Sequence, residues 1–333
     1  MRKHNWNQII EEIGRSKNIL LTTHINPDGD GLGSEIAFYR ILKKMGKNPT
    51  ILNPSSLPDE YGFLQSNMEF AKYSPEIHKS ILSETDLLMV FDIGNPSRLS
   101  RFGEDISKFK IKSICIDHHP SENSFFDLEV IDTTMPSTAS LVYDLILEIS
   151  HDMMDKNIAD ALYTGLMTDT GSFRFENADS SAFGMAIDML KYGVKPSELY
   201  IKVYENRKPE QMLLLGLVLQ NTSFSCNGKL AYFQITHEMI EQSGAHAKDV
   251  DGFTDFVRST KGVEVAVMFL EMKPNRTRMN FRSRGRVSIN QIAKKYGGGG
   301  HPFAAGAVLD EPMERIVNRV LDDLKALLDD LNE

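Results

Sequence analysis

Four short segments of the chain combine acidic and histidine side chains with turn-forming residues. They are His24-Ile-Asn-Pro-Asp28-Gly-Asp30, Phe91-Asp92-Ile-Gly94, Ile116-Asp117-His118-His119-Pro120 and Gly165-Leu-Met-Thr-Asp169-Thr-Gly171. Carboxylates that are packed together repel one another and raise one another's pKa values, and divalent cations remove this repulsion. Mixed carboxylate and imidazole ligands suit Mn²⁺, Fe²⁺ or Zn²⁺, and more than five of them suggests two ions that share a carboxylate. A two-ion site is suited to hydrolysis of phosphate esters.

The fold must bring these segments together. Strands are predicted over 18–24, 87–93 and 112–117, and helices over 137–149 and 157–167, so each segment lies at a strand end or near a helix end. Near-continuous apolar strands separated by helices are typical of a parallel sheet that is buried on both faces. The carboxyl ends of such strands converge on one crevice. We therefore expect an α/β first domain that gathers the four segments.

The first segment has a particular spacing of glycines. A strand is expected over 49–52 and a helix over 33–45, which leaves Gly29, Gly31 and Gly33 before or at the start of this helix. We expect these glycines to permit a tight turn that lets the two neighbouring aspartates address different ions.

Each segment alone has an ordinary structural explanation. Asp117 can cap a turn, and Asp169 can be a turn residue before Gly171. His118 and His119 can be surface residues. It is improbable that all four segments lie at element ends for separate structural reasons. Their joint occurrence favours a metal centre.

The pattern of apolar and polar residues changes along the chain. From 180 to 220 the pattern is helical, and after residue 221 it becomes alternating and strand-like over 229–235, 263–271 and 276–284. We therefore expect a parallel-sheet catalytic domain over 1–190, a helical connector over 191–222 and a smaller α+β domain over 223–333.

A basic run lies in the expected second domain. Between 273 and 295 the chain has no acidic residue and eight basic ones, which are Lys273, Arg276, Arg278, Arg282, Arg284, Arg286, Lys294 and Lys295. If this run begins as a strand, the even-numbered arginines share one face while Met279 and Phe281 occupy the other. The following glycine run, 297–300, lets backbone N–H groups approach an anion, and His301 adds a donor. A solvated strand, a flexible loop and a structural histidine are the alternatives.

Composition limits the classes of protein to which the chain can belong. The 37 Lys and Arg against 46 Asp and Glu give a net charge of −9, which excludes a broad basic surface for long nucleic acid. The basic run accounts for +8, so the other residues carry −9 − 8 = −17. Two cysteines cannot form a disulfide framework, and no apolar stretch is long enough for a signal peptide or a membrane span. We expect a cytoplasmic protein that does not bind membranes.

The motifs together resemble those of a known family. The patterns HxxxDxD, DxG, DHH and TGxxTDTGxF resemble the four motifs of the DHH phosphoesterase family, and the segment Gly297-Gly-Gly-Gly-His301-Pro-Phe-Ala-Ala-Gly306 resembles the hallmark of its DHHA1 domain. The resemblance covers essentially the whole chain. Chain length, the segment Val257-Arg258-Ser259 and the segment Phe281-Arg282-Ser283-Arg284 are similar to the branch that degrades nanoRNA and dephosphorylates 3′-phosphoadenosine 5′-phosphate (pAp).

The resemblance implies roles for individual residues. It implies two divalent ions, most simply Mn²⁺, that are bound by His24, Asp28, Asp30, Asp92, His118 and Asp169. Asp92 would bridge the ions, Asp117 would orient a neighbouring imidazole, and His119 would lie beside the substrate phosphate as the catalytic residue. The resemblance further implies a substrate-binding set in the second domain, which consists of Arg282, Ser283, Gly299, Gly300 and His301.

The expected activity is metal-dependent hydrolysis of phosphate esters in short single-stranded oligonucleotides and of the 3′-phosphate of pAp. Hydrolysis of c-di-AMP or linear pApA is an alternative, and a RecJ-like single-strand exonuclease is another, although such enzymes usually carry an extra OB-fold. A family II pyrophosphatase would share only the N-terminal motifs. A nucleotide-binding sensor without turnover is the non-enzymatic alternative. A homodimer is possible.

Overall fold

The computed structural model describes residues 4–65, 70–120 and 124–329. By internal contacts the chain divides into a first unit, Met1–Asn206, and a second unit, Arg207–Glu333. The stretch 191–222, which the sequence suggests as a connector, therefore falls on both sides of the division. Its helix Pro196–Tyr204 belongs to the first unit, and its helix Pro209–Gln220 belongs to the second.

The first unit contains one six-stranded sheet. Its strands are β1 (Asn18–Thr22), β2 (Asn48–Asn53), β3 (Phe70–Lys72), β4 (Leu87–Phe91), β5 (Lys112–Asp117) and β6 (Leu128–Ile131). All neighbouring pairs are parallel, and the order across the sheet is β3-β2-β1-β4-β5-β6. This confirms the parallel α/β fold expected from the apolar strand runs.

Helices cover both faces of this sheet. They are α1 (Asn7–Arg15), α2 (Gly29–Lys44), α3 (Pro75–Glu84), α4 (Ser100–Ile106), α5 (Thr138–Ser150), α6 (Lys156–Asp169), α7 (Ser180–Lys191) and α8 (Pro196–Tyr204). Alternate residues of β4 enter two different cores: Met89 packs on the side of α2, α5 and α6, whereas Leu88 and Val90 pack on the side of α3 and α4. A strand buried on both faces has no polar side to show, which explains its continuous apolar run.

The strand order changes direction between β1 and β4. The strands β2 and β3 extend the sheet to one side of β1, and β4, β5 and β6 extend it to the other side. β1 pairs with β2 on one side and with β4 on the other, so the loops after β1 and β4 diverge to opposite faces. Ligands of open α/β sheets bind in the crevice that opens at this position. His24 follows β1 and Asp92 follows β4, and therefore both candidate ligands lie at the crevice.

The three glycines of the first segment do not form the tight turn that we expected. Gly29, Gly31 and Gly33 lie inside helix α2, which begins four residues earlier than predicted, and none of them has a positive φ. Their role is close packing. A Cβ on Gly33 would lie 2.4 Å from the Ala161 carbonyl oxygen, and one on Gly31 would lie 2.2 Å from the Thr23 hydroxyl oxygen.

The second unit is built on another six-stranded sheet. Its strands are β7 (Ser223–Ser225), β8 (Leu230–Ile235), β9 (Val265–Lys273), β10 (Arg276–Ser283), β11 (Gly299–His301) and β12 (Ala304–Leu309), and its helices are α9 (Pro209–Gln220), α10 (His237–Ser243), α11 (Phe253–Arg258), α12 (Asn290–Lys295) and α13 (Met313–Asp329). The order is β11-β12-β10-β9-β8-β7, and every neighbouring pair is antiparallel except the parallel pair β8 and β9. This confirms the second, α+β domain.

The glycine run is not a flexible loop. Gly299 and Gly300 belong to β11, which pairs with β12 and places Gly299 opposite Gly306. A Cβ on Gly298 would lie 2.1 Å from the Gly306 carbonyl oxygen, and Gly300 has a φ of +131°. These two positions therefore require glycine for structural reasons.

Candidate metal centre and phosphate-binding face

The four segments meet at the carboxyl edge of the first sheet. Three groups of side chains place potential ligand atoms within 4.8 Å of one another: His24 with Asp28 and Asp92; Asp30 with His118 and Asp169; and Asp92 with His118 and His119. All six metal-ligand candidates named from the sequence are therefore brought together. His24, Asp30 and Asp92 are almost fully buried, whereas the side chain of Asp28 is 56% exposed.

Asp92 stands between the first two groups. One of its carboxylate oxygens, Oδ2, lies 3.5 Å from the Nε2 atom of His24, and the other, Oδ1, lies 3.9 Å from the Nε2 atom of His118. Asp92 has a φ of +55°, a conformation that is uncommon for a residue other than glycine and that occurs preferentially at functional sites. The two oxygens therefore face different imidazoles, which suits a bridging ligand.

Two ring nitrogens without hydrogen bonds to any described residue indicate that this set of side chains fits metal ions. The Nε2 atoms of His24 and His118 are buried and have no hydrogen-bond partner among the residues that the structure describes. Buried polar atoms are normally partnered. Each of these nitrogens instead lies 3.5–3.9 Å from carboxylate oxygens, for example 3.5 Å between His118 and Asp169. Two ligand atoms that each lie about 2.1 Å from one ion are at most about 4.2 Å apart, so these spacings suit a shared cation.

The opposite ring nitrogen of His118 is held by the backbone. Its Nδ1 atom lies 3.3 Å from the carbonyl oxygen of Met135, to which an Nδ1–H can donate. This arrangement leaves Nε2 for a metal ion, as is usual for ligating histidines.

The carboxylate of Asp30 is fixed by the start of a helix. Its two oxygens accept hydrogen bonds from the backbone N–H groups of Thr138 and Ala139, at 2.7 and 2.8 Å, in the first turn of α5. The Thr138 hydroxyl donates to Asp92 at 3.2 Å. Our sequence analysis missed Thr138. The available signal was a Ser-Thr pair directly before an apolar helix, which is typical of a helix N-terminus.

Asp169 is held by a residue that the motifs also missed. The side-chain amide of Asn177 donates to the Asp169 carboxylate at 3.1 Å and to the carbonyl oxygen of Pro136 at 2.8 Å. Asn177 lies eight residues beyond Asp169, in the loop before α7, and the sequence carries no pattern that would have identified it.

Charge interactions shift the pKa values of this cluster in opposite directions. Burial raises the pKa of Asp30 well above its ordinary value, and the charges of Asp92 and Asp169 add to this effect. Burial also raises the pKa of Asp169, to about 6, although His118 opposes the shift. For Asp92 burial acts in the same direction, but the neighbouring His119 and His24 rings prevail and lower its pKa.

The imidazoles respond in the complementary sense. Burial lowers the pKa of His24, but the Asp28 and Asp92 carboxylates beside its ring outweigh burial and raise the value to about 9. A site of this kind binds protons tightly when it holds no cation, because four carboxylates face the imidazoles. Cation binding must therefore displace protons.

Asp117 orients His119, as the sequence suggested for a neighbouring imidazole. One carboxylate oxygen of Asp117 lies 2.9 Å from Nδ1 of His119 and accepts from the backbone N–H of the same residue at 2.9 Å. The other oxygen accepts from the backbone N–H of Gly94 at 2.6 Å. Burial lowers the pKa of His119, but hydrogen bonds to Asp117 and Asp92 prevail and raise it to about 11. Asp117 therefore fixes the orientation of the His119 ring at the edge of the cluster.

The arginine face of the second unit has the alternation expected from the sequence. Along β10, Thr277, Met279, Phe281 and Ser283 are buried, and the intervening residues are more exposed. Arg282 is paired with Ala304 across the sheet, and Ala304 is paired with His301, so these three residues share a face. Asn280, Gly306 and Gly299 form the next row of this face. Ala304 and Gly306 thus provide a floor of small residues between Arg282 and His301.

Ser283 does not share that face. Its side chain is 7% exposed and points to the opposite side, where its hydroxyl accepts a hydrogen bond from the backbone N–H of Gly285 at 3.2 Å. The structure therefore brings Arg282, Gly299 and His301 to one face of the sheet and leaves the Ser283 side chain on the other.

The arginines are neutralised by acidic residues from elsewhere in the second unit. Asp255 of α11 accepts a hydrogen bond from Arg282 at 3.0 Å and pairs with Arg258 at 3.5 Å. Further pairs join Arg276 to Asp310, Arg278 to Asp251, Arg286 to Glu264 and Lys295 to Asp323. Five of the eight basic residues of the run are therefore ion-paired, whereas Arg284 donates to backbone carbonyl oxygens of residues 258–260. The local sequence does not reveal this, because the partners are distant along the chain.

An open parallel sheet with a carboxylate and imidazole cluster at its switch point defines a class of metal-binding α/β proteins. Family models sharpen this class: the model for the DHH family, N-terminal domain, matches residues 18–166, and the model for the DHHA1 domain matches residues 227–333. The chain therefore belongs to the DHH family and carries its DHHA1 domain, as the motifs indicated.

Two curated relatives and one solved structure are similar over most of the chain. The bifunctional oligoribonuclease and PAP phosphatase NrnA of Thermus thermophilus is 35% identical over 92% of this chain and 90% of the relative. The protein of the same name from Bacillus subtilis is 31% identical over 96% and 97%. A crystal structure of an exopolyphosphatase-related protein from Bacteroides fragilis, at 24% identity, matches with a TM-score of 0.91 over 97% of both chains and supports the fold. Among the described residues, no helix is long and apolar enough to cross a membrane.

Proposed function

We propose that this protein is a metal-dependent phosphoesterase that hydrolyses short oligoribonucleotides and the 3′-phosphate of pAp. The observation that carries the proposal is the double ligand cluster around Asp92, in which two buried ring nitrogens lack any other partner. The names of the two relatives at 35% and 31% identity support the substrate class.

We assign the metal ligands as two sets. His24, Asp28 and Asp92 hold one divalent cation, and Asp30, Asp92, His118 and Asp169 hold the other. The donor set of oxygens and imidazole nitrogens suits Mn²⁺. Cations held there would supply Lewis-acid polarisation of the phosphoryl oxygens and activation of a water.

We assign the acid role to His119. Asp117 fixes the Nδ1 side of its ring and favours the protonated ring, because its carboxylate raises the pKa of His119. Its other nitrogen can then donate a proton to the oxygen of the leaving group. Asp117 thereby acts as a positioning residue, because its carboxylate contacts His119 and the Gly94 backbone.

We assign phosphate binding in the second unit to the face that carries Arg282, Gly299 and His301. Arginine forks bind phosphate oxygens bidentately, and Gly299 leaves its backbone uncovered because nothing lies within 4 Å of the position of a Cβ. For Gly300 and Ser283 a role in substrate binding rests on the sequence resemblance, since the structure gives each of them a structural role as well.

A substrate panel tests the function. Purified protein with Mn²⁺ is given pAp, pApA, c-di-AMP and a 24-nucleotide strand, and initial rates are compared. We expect rapid hydrolysis of pAp and pApA and slow or no hydrolysis of the long strand. A preference for c-di-AMP or for the 24-mer would favour a cyclic-dinucleotide phosphodiesterase or an exonuclease of the RecJ type. Metal-dependent binding without product release would indicate a sensor.

We also propose that the protein acts in the cytoplasm as a homodimer that uses helix α7. Phe183, Ile187 and Leu190 lie at positions i, i+4 and i+7 of this helix and are 50%, 58% and 47% exposed. An apolar row of this kind suits a protein contact. Sedimentation velocity should show a dimer that Ile187→Asp converts to a monomer, and a monomeric parent protein would contradict this assignment.

A further inference from the structure

Arg98 is a cation beside the metal cluster that the motifs do not include. It lies in the short 3₁₀ turn Pro96–Leu99 after β4, six residues beyond Asp92, and its side chain is half-buried. Its Nη2 atom lies 2.7 Å from Nδ1 of His24. Within the described residues Arg98 forms no ion pair with a carboxylate, in contrast to Arg282 of the second unit, which is paired with Asp255.

The backbone around Arg98 is firmly held. The N–H of Ile25 donates to the Arg98 carbonyl oxygen at 2.9 Å, and the N–H of Arg98 donates to the Asn95 carbonyl oxygen at 2.9 Å. This links the loop after β4 to the loop after β1. The guanidinium can therefore change its hydrogen-bond partner while its backbone stays in place.

The contact between Arg98 and His24 conflicts with metal ligation by His24. The Nδ1 atom of His24 lies close to two groups, the Ile25 carbonyl oxygen at 2.9 Å and the Arg98 guanidinium. A guanidinium only donates, so a hydrogen bond to Nδ1 requires a lone pair there. A ring that is protonated, and equally a ring that binds a metal through Nε2, carries a hydrogen on Nδ1 and donates it to the Ile25 oxygen. In both states Arg98 has no acceptor on His24, and its other contact, from Nη1 to the Ile93 carbonyl oxygen, is long at 3.5 Å.

The surroundings of Arg98 indicate which group replaces that acceptor. A Cβ on Gly94 would lie 3.9 Å from Nη1 of Arg98 and 3.6 Å from the ring of His119. Gly94 thus leaves space beside two side chains that donate hydrogen bonds. Guanidinium groups with donors to spare recognise phosphate oxygens through paired hydrogen bonds.

We propose that Arg98 is a phosphate-binding residue of the first unit. The inference rests on the proposed function for the identity of the substrate, a phosphate ester. It adds an anion-binding group on the His24 side of the centre, where the ligand set itself provides only carboxylates and imidazoles.

The test compares Arg98→Met and Arg98→Lys with the parent protein and with Arg101→Met. Arg101 is a matched control because it lies one turn further along, on α4, with a side chain that is 71% exposed. Circular dichroism and thermal unfolding first establish that each variant is folded. Binding of Mn²⁺ is then measured by the electron paramagnetic resonance signal of the free ion, and binding of inorganic phosphate to the Mn²⁺-loaded protein by calorimetry.

For Arg98→Met we expect phosphate affinity to fall about 10- to 100-fold and the KM for pAp to rise by a similar factor, because a charge-assisted hydrogen-bond pair is lost. Mn²⁺ affinity should change by no more than a few-fold in either Arg98 variant, because Arg98 is not a metal ligand. Arg101→Met should behave as the parent does.

Two results would overturn the inference. Unchanged phosphate affinity in a folded Arg98→Met protein would show that Arg98 does not bind substrate. A Mn²⁺ affinity that falls as far as the phosphate affinity in Arg98→Met would show that Arg98 supports the metal site and does not bind the substrate. If the parent protein hydrolysed no phosphate ester at all, the proposed function would fail, whereas the two binding measurements would still decide the role of Arg98.

Discussion

The metal cluster of the first unit and the arginine face of the second unit differ in how far their polar and charged groups are paired. In the first unit, carboxylates and imidazoles are gathered at the sheet edge, and two buried ring nitrogens are left without hydrogen-bond partners. In the second unit, arginines stand on a partly exposed sheet face, and acidic residues such as Asp255 partner them. In the first arrangement neighbouring carboxylates repel one another, and a bound cation would remove this repulsion. In the second arrangement the charges are already paired, so little repulsion remains to be removed.

This difference predicts a division of labour that mutagenesis can test. Changes in the first unit should affect metal binding and kcat, because the cluster acts on the reacting phosphorus. Changes in the second unit should affect KM, because an exposed and already paired arginine exchanges one anionic partner for another. Each experiment below tests this difference between the two units.

The largest effect is expected for Asp92→Asn. Asparagine tolerates the left-handed backbone at this position, so the fold should persist while the bridging charge is lost. We expect kcat on pAp to fall by at least about 10³-fold, since several kcal/mol of transition-state stabilisation depend on the metal ions. Calorimetry should show weaker Mn²⁺ binding. Near-parental activity with saturating Mn²⁺ would disprove the two-ion assignment.

The next effect concerns the proton donor. His119→Gln should lower kcat by about 100-fold and leave Mn²⁺ affinity within a few-fold of the parent value, because the residue acts on the leaving group. A substrate with an activated leaving group such as p-nitrophenol needs no proton and should largely escape the loss. If Mn²⁺ binding fell together with kcat, His119 would be a metal ligand.

A third prediction follows from the pKa values of the cluster. The pKa of His24 is raised to about 9 and that of Asp169 to about 6, so both groups hold protons below those values and must release them to ligate a cation. Mn²⁺ affinity should therefore increase from pH 6 to pH 9, by up to about tenfold per unit for each proton displaced. Calorimetry in buffers with different ionisation enthalpies measures the protons released, and an affinity independent of pH would contradict the assignment.

In the second unit we expect a smaller effect that is confined to substrate binding. Arg282→Ala should raise the KM for pAp about 10-fold and change kcat little, because the guanidinium binds phosphate away from the reacting centre. Arg276→Ala serves as the control, since Arg276 is also on β10 but is paired with Asp310 at the far end of the strand. A fall in kcat for Arg282→Ala with unchanged KM would erase the contrast between the units.

The smallest effects separate the glycines that the fold requires from the one that it does not. Gly298→Ala would force a Cβ to within 2.1 Å of the Gly306 carbonyl oxygen and should lower the free energy of unfolding by about 1–3 kcal/mol. Gly299→Ala meets no atom within 4 Å and should leave stability within about 0.5 kcal/mol. If Gly299→Ala nevertheless raises KM, the substrate approaches its backbone. Thermal unfolding and steady-state kinetics measure the two quantities.

Much of the first unit could be predicted because its signals are local. The strand over 112–117 has the predicted bounds, and β4 is as apolar as a strand buried on both faces must be. The motif residues lie at the strand and helix ends that periodicity suggested. The errors concern contacts between distant segments: the glycines of α2 serve helix packing instead of a turn, and Thr138, Asn177 and Arg98 reach the site from elements without a motif.

The second unit shows the same limit more clearly. Periodicity correctly placed Met279 and Phe281 on the buried face of β10 and Arg276, Arg278 and Arg282 on the other. It was wrong for Arg284 and Arg286, because the strand ends at Ser283. The same alternation of side chains put Ser283 on the buried side, away from Arg282, which the resemblance alone did not reveal. The glycine run is a strand edge, because its pairing partner, β12, supplies the backbone groups.

From the sequence alone one could predict the residues of the metal centre, the parallel sheet that gathers them and the second α+β unit. These depend on periodicity and on motif spacing, which are properties of neighbouring residues. Only the tertiary structure decided that Asp92 faces both imidazole groups, that Asp255 partners Arg282, and that Arg98 contacts His24. Each of these is a contact between side chains from separate elements, and its geometry exists only after the elements have packed.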